Sequence, residues 1–501
     1  MNYENKNAKK YWSSPLERSY PKDSFWRGGA MKTIFLYMAF ILAGYVASSQ
    51  TKFTLKQAIE TGIKNNLDVN QSDILMQKSS IAYKQSRLAM LPNLNASADH
   101  GTNQGRSIDP FTNAFINQNV SYASYGASSS LLLFNGSSLQ NRIKGNKLGY
   151  EASQMELQQA KDNITINIIL AYLGVLSAED VLASSRSLSA VTVKQVERLN
   201  ILNESGAISP SLYYDLKGQL ANDQITIVDN EAALETAKLT LAQLLNVPYD
   251  KNMEVERLPL ESFNVSYASD PGKIYQSALQ HFAQIKAVRF RTESAEKNIR
   301  SIQGELYPTL SLSGNINTNY SSAATQTVLV NTVDIASSNY VIVNGSQIPV
   351  MEQQNNFDTK KINYGSQLKN NKFTTVNLGL NIPIFNASQT RSRVKIAKLD
   401  LENNELIEQN TKTQLQQSIE KAYVNFSSTA DKYKILLDQV NSFEESFRAA
   451  EILFNSGAST SVDYLIAKNN LDRTKTNLII SKYDYVLRSK VLDYYEGKAL
   501  W

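Results

Sequence analysis

His100 and His281 are the chain's whole supply of imidazole, and they lie far apart in a sequence of 501 residues that has no cysteine. A histidine beside a nucleophile and a carboxylate would point to acyl transfer, and His, Cys, Asp and Glu at fixed spacing would point to a metal. Neither constellation is present at recognisable spacing. There is also no carboxylate pair in a recognisable loop and no glycine run that could cradle a phosphate. Each histidine therefore reads as a surface or packed residue, and no enzyme, cofactor or metal is expected. The missing cysteine removes disulfides, thiolate ligands, a cysteine nucleophile and a lipoprotein acyl anchor together. With 51 Lys and Arg against 46 Asp and Glu, the net charge of +5 gives no case for nucleic acid.

The elements are written twice. At an offset of 251 residues Phe134-Asn135 falls on Phe385-Asn386 and Arg142 on Arg393. Ala171-Tyr172 falls on Ala422-Tyr423, and Leu202 and Ser205-Gly206-Ala207 fall on Leu453 and Ser456-Gly457-Ala458. One offset over roughly 85 residues marks a duplicated architecture, with a period far too long for a solenoid.

Before the first copy, residues 31–49 hold Lys32, an apolar run from Ile34 to Val46 and Ala47-Ser48-Ser49, the layout of a secretory signal cut before Gln50. The apolar run is short of the roughly 20 residues a membrane helix needs. Residues 1–30 are polar and precede a complete signal with its own methionine, so they read as a non-native extension. No other segment looks apolar enough for a membrane helix, so if the exported chain spans a membrane it must do so with strands.

Repeat 1, residues 50–246, opens on helical patterning over 54–91 that Pro92 ends. A strand pair at 93–134 follows, then a long helical hairpin at 137–246. Residues 247–273 form an irregular connector outside the wall. Repeat 2, residues 274–496, has helical patterning over 278–306, a strand pair at 309–385 and a hairpin at 388–495. In the return strand Val376, Leu378, Leu380, Ile382 and Ile384 alternate with Asn377, Gly379 and Asn381. One apolar and one polar face would also suit a soluble sheet. The polar face, however, is Asn and Ser with almost no charge, which suits the wet interior of a transmembrane barrel. Tyr122, Tyr125, Tyr320 and Phe373 lie where interfacial aromatics would sit. Within the polar insert 321–372, Asn344-Gly345 between β-branched residues predicts a short hairpin.

The descending helices have a period-seven line, Ile143, Tyr150, Leu157, Ile164 and Ala171, repeated as Val394, Leu401, Glu408, Leu415 and Ala422. That spacing implies supercoiling against neighbouring helices, and a helix from 137 to 203 would run about 100 Å. So narrow a seam suits helices standing side by side as a tube wall. At each turn Gly206 or Gly457 stops one helix, and Ser209 or Thr460 is expected to cap the next.

The ordered set resembles the TolC family of outer-membrane efflux proteins. Residues 54–67 (TLKQAIETGIKNNL) are similar to the family's opening helix, with Leu55, Ala58 and Asn66 in register but Gly62 in place of the second alanine and no proline. Leu91-Pro92-x-Leu94 and Tyr307-Pro308-x-Leu310 match its helix-to-strand joint. Leu133-Phe134-Asn135-Gly136 and Ile384-Phe385-Asn386-Ala387 match its strand exit. Residues 454–471 follow its tip signature with Gly457, Thr460, Asp463, Leu465 and Ala467 in place.

The resemblance implies a mixed α/β membrane protein with an internal duplication: a homotrimer whose four strands per chain make a 12-strand β-barrel, continued by an α-helical coiled-coil barrel across the periplasm. It implies outer-membrane lipid, a periplasmic adaptor (membrane fusion) protein and an inner-membrane pump as partners. The chain would be a passive conduit for efflux or type I secretion. The adaptor would meet Ser205, Gly206, Ala207, Ser209, Ser456, Gly457, Ala458 and Thr460 at the hairpin tips. Family members narrow the entrance with two aspartates; Asp463 matches the first, the second is Ile466 here, and the 251 offset pairs Ile466 with Asp215. The expectation is a constriction shared by Asp463 and Asp215, with a solvated helix residue as the other reading of Asp215. The rival function is an exported coiled-coil structural protein or adhesin. A porin would need many more strands than four unless oligomerised.

Overall fold

A computed structural model describes residues 52–108, 113–117, 119–259 and 270–498. The expected extension 1–30, the signal 31–49 and part of the connector lie outside the described residues. The opening segment is two helices and not one: α1 (Leu55–Asn65) and α2 (Leu67–Leu88). Asn66 breaks the run with extended backbone (φ −67°, ψ 129°), and its side-chain oxygen accepts from Val69 N at 2.9 Å. An Asn side chain offers the backbone this alternative to helix continuation, and periodicity alone does not reveal it. The second copy breaks likewise at Phe282, between α5 (Pro271–His281) and α6 (Ala283–Gly304).

After α2 come β1 (Asn95–Asn103), the short strands β2 (Arg106–Ile108) and β3 (Phe115–Asn117), and β4 (Val120–Asn135). After α6 come β5 (Thr309–Ser321), β6 (Thr325–Val343), β7 (Ser346–Lys361), helix α7 (Tyr364–Asn370) and β8 (Phe373–Asn381). Four strands form one antiparallel sheet in the order β1-β4-β5-β8. Its register sorts the side chains. Leu131 opposite Leu312 opposite Leu378, with Leu310, Ile316, Val376 and Leu380, makes one face. Ser128, Ser130, Ser313, Asn315, Asn317, Asn377 and Asn381 make the other. Val376, Leu378 and Leu380 on the apolar face are 63–70% exposed, an apolar surface that no core of this chain covers. β6 and β7 form a separate hairpin turning at Asn344 and Gly345, both at positive φ (53° and 83°), as an Asn-Gly hairpin turn requires. At its base α7 lies over the apolar side of the β4–β5 ends. There Tyr364 contacts Tyr320 and Tyr125, and the buried Gln367 side chain bonds to Ser321 N, Ser321 O and Ile362 O.

The long helices are α3 (Ser138–Glu204) and α8 (Gln389–Asn455), each 67 residues, and they return as α4 (Pro210–Leu245) and α9 (Ser461–Glu496), each 36 residues. Both pairs start 251 residues apart, whereas α1 and α5, and α2 and α6, start 216 residues apart. The difference of 35 residues enters between the strands of the second copy, where β6 and β7 are. Each long helix begins after two residues at positive φ, Gly136-Ser137 and Ala387-Ser388. Glycine is needed at 136, since a Cβ there would lie 2.2 Å from Gly304 O.

The main core lies midway down α3, where Ile168, Ile169, Tyr172 and Leu176 meet Leu55 and Ala58 of α1, Leu241 and Leu245 of α4, and Met253 and Val255 of the connector. Phe53 and Val255 form a parallel bridge. The Tyr172 hydroxyl sits 2.8 Å from Phe53 O and 2.7 Å from Glu256 O, so it locks that bridge to the wall. Burial pushes its pKa up to about 12. This core corrects one expectation: by length and composition a stretch of α3 would pass as a membrane helix, with half of that stretch buried. Its apolarity belongs to the core that α1, α2, α4, the connector and, through Tyr483 and Val486, α9 cover.

Candidate functional site

The two tips are built alike from local sequence. Gly206 (φ 72°) and Gly457 (φ 75°) end the descending helices, and Ala207 N and Ala458 N bond back to Leu202 O and Leu453 O at 2.9 and 2.8 Å. Ser205 and Ser456 each donate their hydroxyl to those same carbonyls at 3.0 Å. Left-handed glycine with the six-residue bond is how a helix end satisfies its last carbonyls. The starts of the ascending helices differ. Thr460 caps α9 through a box with Asp463, while Ser209 caps α4 without a side-chain bond and Pro210 takes the first helical position. Beneath both turns Leu199, Leu216, Phe454 and Tyr464 form a small core, with Phe454 and Tyr464 stacked at 4.8 Å.

Asp215 and Asp463 are both solvent-exposed and are brought to neighbouring residues of one tip. Asp215 accepts from Ser461 Oγ at 2.8 Å, tying α4 to the first residue of α9. Asp463 accepts from Thr460 Oγ1 at 2.7 Å and Thr460 N at 3.2 Å, and these bonds hold its carboxyl below the usual aspartate pKa. The double capping keeps Asp463 charged at the N-terminus of α9, where the helix dipole also favours an anion.

One turn higher is a cluster that sequence reasoning missed. Lys468, 2% exposed, donates to both oxygens of Asp223 at 3.0 and 3.2 Å and to Asp472 at 2.5 Å. Thr192 Oγ1 and Gln219 Nε2 complete the shell of Asp223 at 2.5 and 2.8 Å. The network joins α3, α4 and α9. Burial nevertheless pushes the Asp472 carboxyl up, so Lys468 only partly offsets its desolvation. Arg198 on α3 bonds Asn455 at the end of α8, and Gln195 reaches Glu451 at 3.3 Å, so the two descending helices are tied as well. A signal for Lys468 existed: it falls on the stripe of Tyr464, Ala467 and Leu471, where a lysine needs buried anions.

His100 stands on β1 opposite Ala123, and His281 caps α5 with Nδ1 3.1 Å from Ser277 O. Among the described residues no three His, Cys, Asp or Glu side chains are grouped to hold a metal.

The profile of the outer membrane efflux protein family matches residues 58–247 and 274–495, one segment per copy. Outer membrane efflux protein BepC of Brucella suis is 20% identical over 458 residues, covering 91% of this chain and 88% of that one. The chain is also similar in structure to the outer membrane protein VceC of Vibrio cholerae (TM-score 0.69, 14% identity, 89% and 97% of the two chains). The CmeC outer membrane channel of Campylobacter jejuni gives a TM-score of 0.69 at 16% identity over 88% and 85%.

Proposed function

The chain belongs to the outer membrane efflux protein family, and from that premise we propose that three copies stand together as one conduit. Twelve strands close a barrel in the outer membrane, and the long helices continue it as a tunnel through the periplasm. The observation that carries this reading is the four-stranded sheet: its edges β1 and β8 are open, one face is exposed and apolar, and the other is Asn and Ser. In hydrocarbon an open sheet edge is too costly to survive, and four strands are too few to close on themselves. Lipid therefore takes the apolar face and water the polar one.

The tips, with Ser205, Gly206, Ala207, Ser209, Ser456, Gly457, Ala458 and Thr460, are the surface offered to a periplasmic adaptor, and an inner-membrane pump supplies the energy. Asp215 and Asp463 narrow the entrance, one carboxylate per repeat and six per trimer, and favour cations. Planar-bilayer conductance tests this with Asp215→Asn and Asp463→Asn, which keep an acceptor for Ser461 and Thr460 while removing the charge. Cation selectivity is expected to fall in each single variant and further in the double. Unchanged selectivity in the double variant would overturn the shared constriction. A wild-type chain that forms no channel and fractionates without detergent would overturn the conduit itself in favour of the exported fibre.

A further inference from the structure

Two fixed offsets relate the copies: 216 residues for the leading helices and first strands, 251 for the return strands and long helices. They carry hydrogen-bond register. β1 and β4 set Asn95 against Ser128, Ala96 against Ala127 and Ser97 against Gly126. β5 and β8 set Ser311 against Gly379, Leu312 against Leu378 and Ser313 against Asn377. Moving the first member of each pair by 216 and the second by 251 turns one set into the other.

Within the chain the rear of copy one meets the front of copy two: β4 pairs with β5, and α3 packs on α6. The converse junction, the rear of copy two with the front of copy one, is open. β8 and β1 are the sheet edges, while α2 packs on α3 with Leu67, Ile74, Ile81 and Leu88 left exposed at seven-residue spacing. We infer that this junction forms between copies of the chain in the register of the internal one. The inference rests on the trimer proposed above and adds which residues meet.

In the sheet, the internal pairs Ser129–Gly314 and Tyr125–Thr318 become Leu380 opposite Ala98 and Val376 opposite Thr102 of the next copy. In the helices three internal contacts are informative. A Cβ on Gly145 would lie 3.5 Å from Lys297 Cβ, and one on Gly149 would lie 3.9 Å from Ser294 Oγ. Glu156 holds Arg291 by two bonds of 2.9 and 3.0 Å. Carried across, these become Ile396 against Ile81, Asp400 against Lys78 and Ile407 against Leu75. The offsets take no account of residue type, yet they yield two apolar pairs and one pair of opposite charges. The four apolar side chains are 58%, 65%, 46% and 49% exposed in the single chain. Lys78 and Asp400 are exposed, and neither has an ion-pair partner among the described residues.

An ion pair inside the chain is thus replaced by Leu75 and Ile407 between chains, where association rests on buried apolar area. At the membrane end the match cannot be complete. Leu88 takes the place of Gly304, where a Cβ would lie 2.7 Å from Ser138 N, so the joint between copies is wider there by a side chain.

The native chain has no cysteine, which makes disulfide trapping clean. In the full-length protein purified in detergent, Ile81→Cys with Ile396→Cys is expected to give covalent dimers and trimers on oxidation. Gly145→Cys with Lys297→Cys, the internal counterpart, should close within one chain. Ile74→Cys with Ile396→Cys, one heptad or about 10 Å out of register, should cross-link about tenfold less or worse. Lys78→Asp and Asp400→Lys should each lower the temperature at which the trimer dissociates on gels, and the double reversal should restore it. Equal trapping of the out-of-register pair, or none in particles that sizing shows to be trimers, would overturn the register and leave the conduit standing. Protection of Ile81 and Ile396 only when an adaptor is added would assign the surface to the adaptor instead. Monomers in both detergent and membrane would overturn the trimer as well.

Discussion

Lys468 has the least freedom of any charged side chain at the tips, because Asp223 and Asp472 leave it no exit to water. Replacing it with Met would leave two carboxylates facing each other in a nearly dry site, and breaking such a pair costs about 3–5 kcal/mol. The loss falls on the hairpin tips alone. Hydrogen exchange along residues 185–225 and 461–480 of Lys468→Met is expected to accelerate while exchange in the Tyr172 core stays slow. Gly457 and Thr460 could be read from sequence because helix capping is local chemistry within four residues; Asp463 was reached through the resemblance alone, and its box with Thr460 was not foreseen. The Lys468–Asp223 contact could not, since it joins residues 245 apart and nothing local marks Asp223 as its partner. The Asp215–Ser461 bond escaped for the same reason, although Asp215 itself was reachable through the repeat.

The long helices and the sheet strands were legible because residues that dictate geometry bound them, Pro92 and Pro308 and Gly206 and Gly457, whereas β2, β3, α7 and the full length of β6 and β7 were not, and β8 ends at Asn381, short of Ile384. The division of the opening run at Asn66 was hidden, because the apolar spacing continues across the break. Gly62 was visible as a departure from the family's alanine, and packing supplies its reason: a Cβ there would lie 2.2 Å from Ile168 Cδ1. α1 therefore sits close on α3, and a larger residue at 62 would make the end of the Ile168 side chain give way. Gly174, inside α3, has nothing within 4 Å of its would-be Cβ. The same type of residue should respond in opposite directions. Gly62→Val is expected to destabilise by about 1–3 kcal/mol through overpacking, and Gly174→Ala to stabilise by roughly 0.5–1 kcal/mol through helix propensity. Thermal unfolding of the two variants against the parent decides both.

At the scale of the whole molecule, the four helices that the copies share agree in length, and the copies differ in what lies beyond the sheet. The first copy joins β1 to β4 through the short pair β2 and β3, and the second inserts the much longer β6 and β7, with α7, between β5 and β8. Ile362 N bonds Ala324 O at 3.1 Å, so the insert is pinched shut at its base. Removing Thr325–Lys361 is therefore expected to leave channel conductance and the heat stability of the assembly unchanged; a loss of either would show that the hairpin holds the mouth together. The pinch also separates two kinds of variation along the chain. Inside the wall an added residue would rotate a helix and disturb every contact below it, but beyond Ala324 and Ile362 length is free. The hairpin rises about 50 Å at roughly 3.3 Å per residue, with Asn344-Gly345 at its summit. In the proposed conduit that summit stands at the outer mouth of the barrel, so a foreign epitope spliced between those two residues is expected to be displayed on a ready-made mast with conductance unchanged, as antibody labelling of whole cells would check.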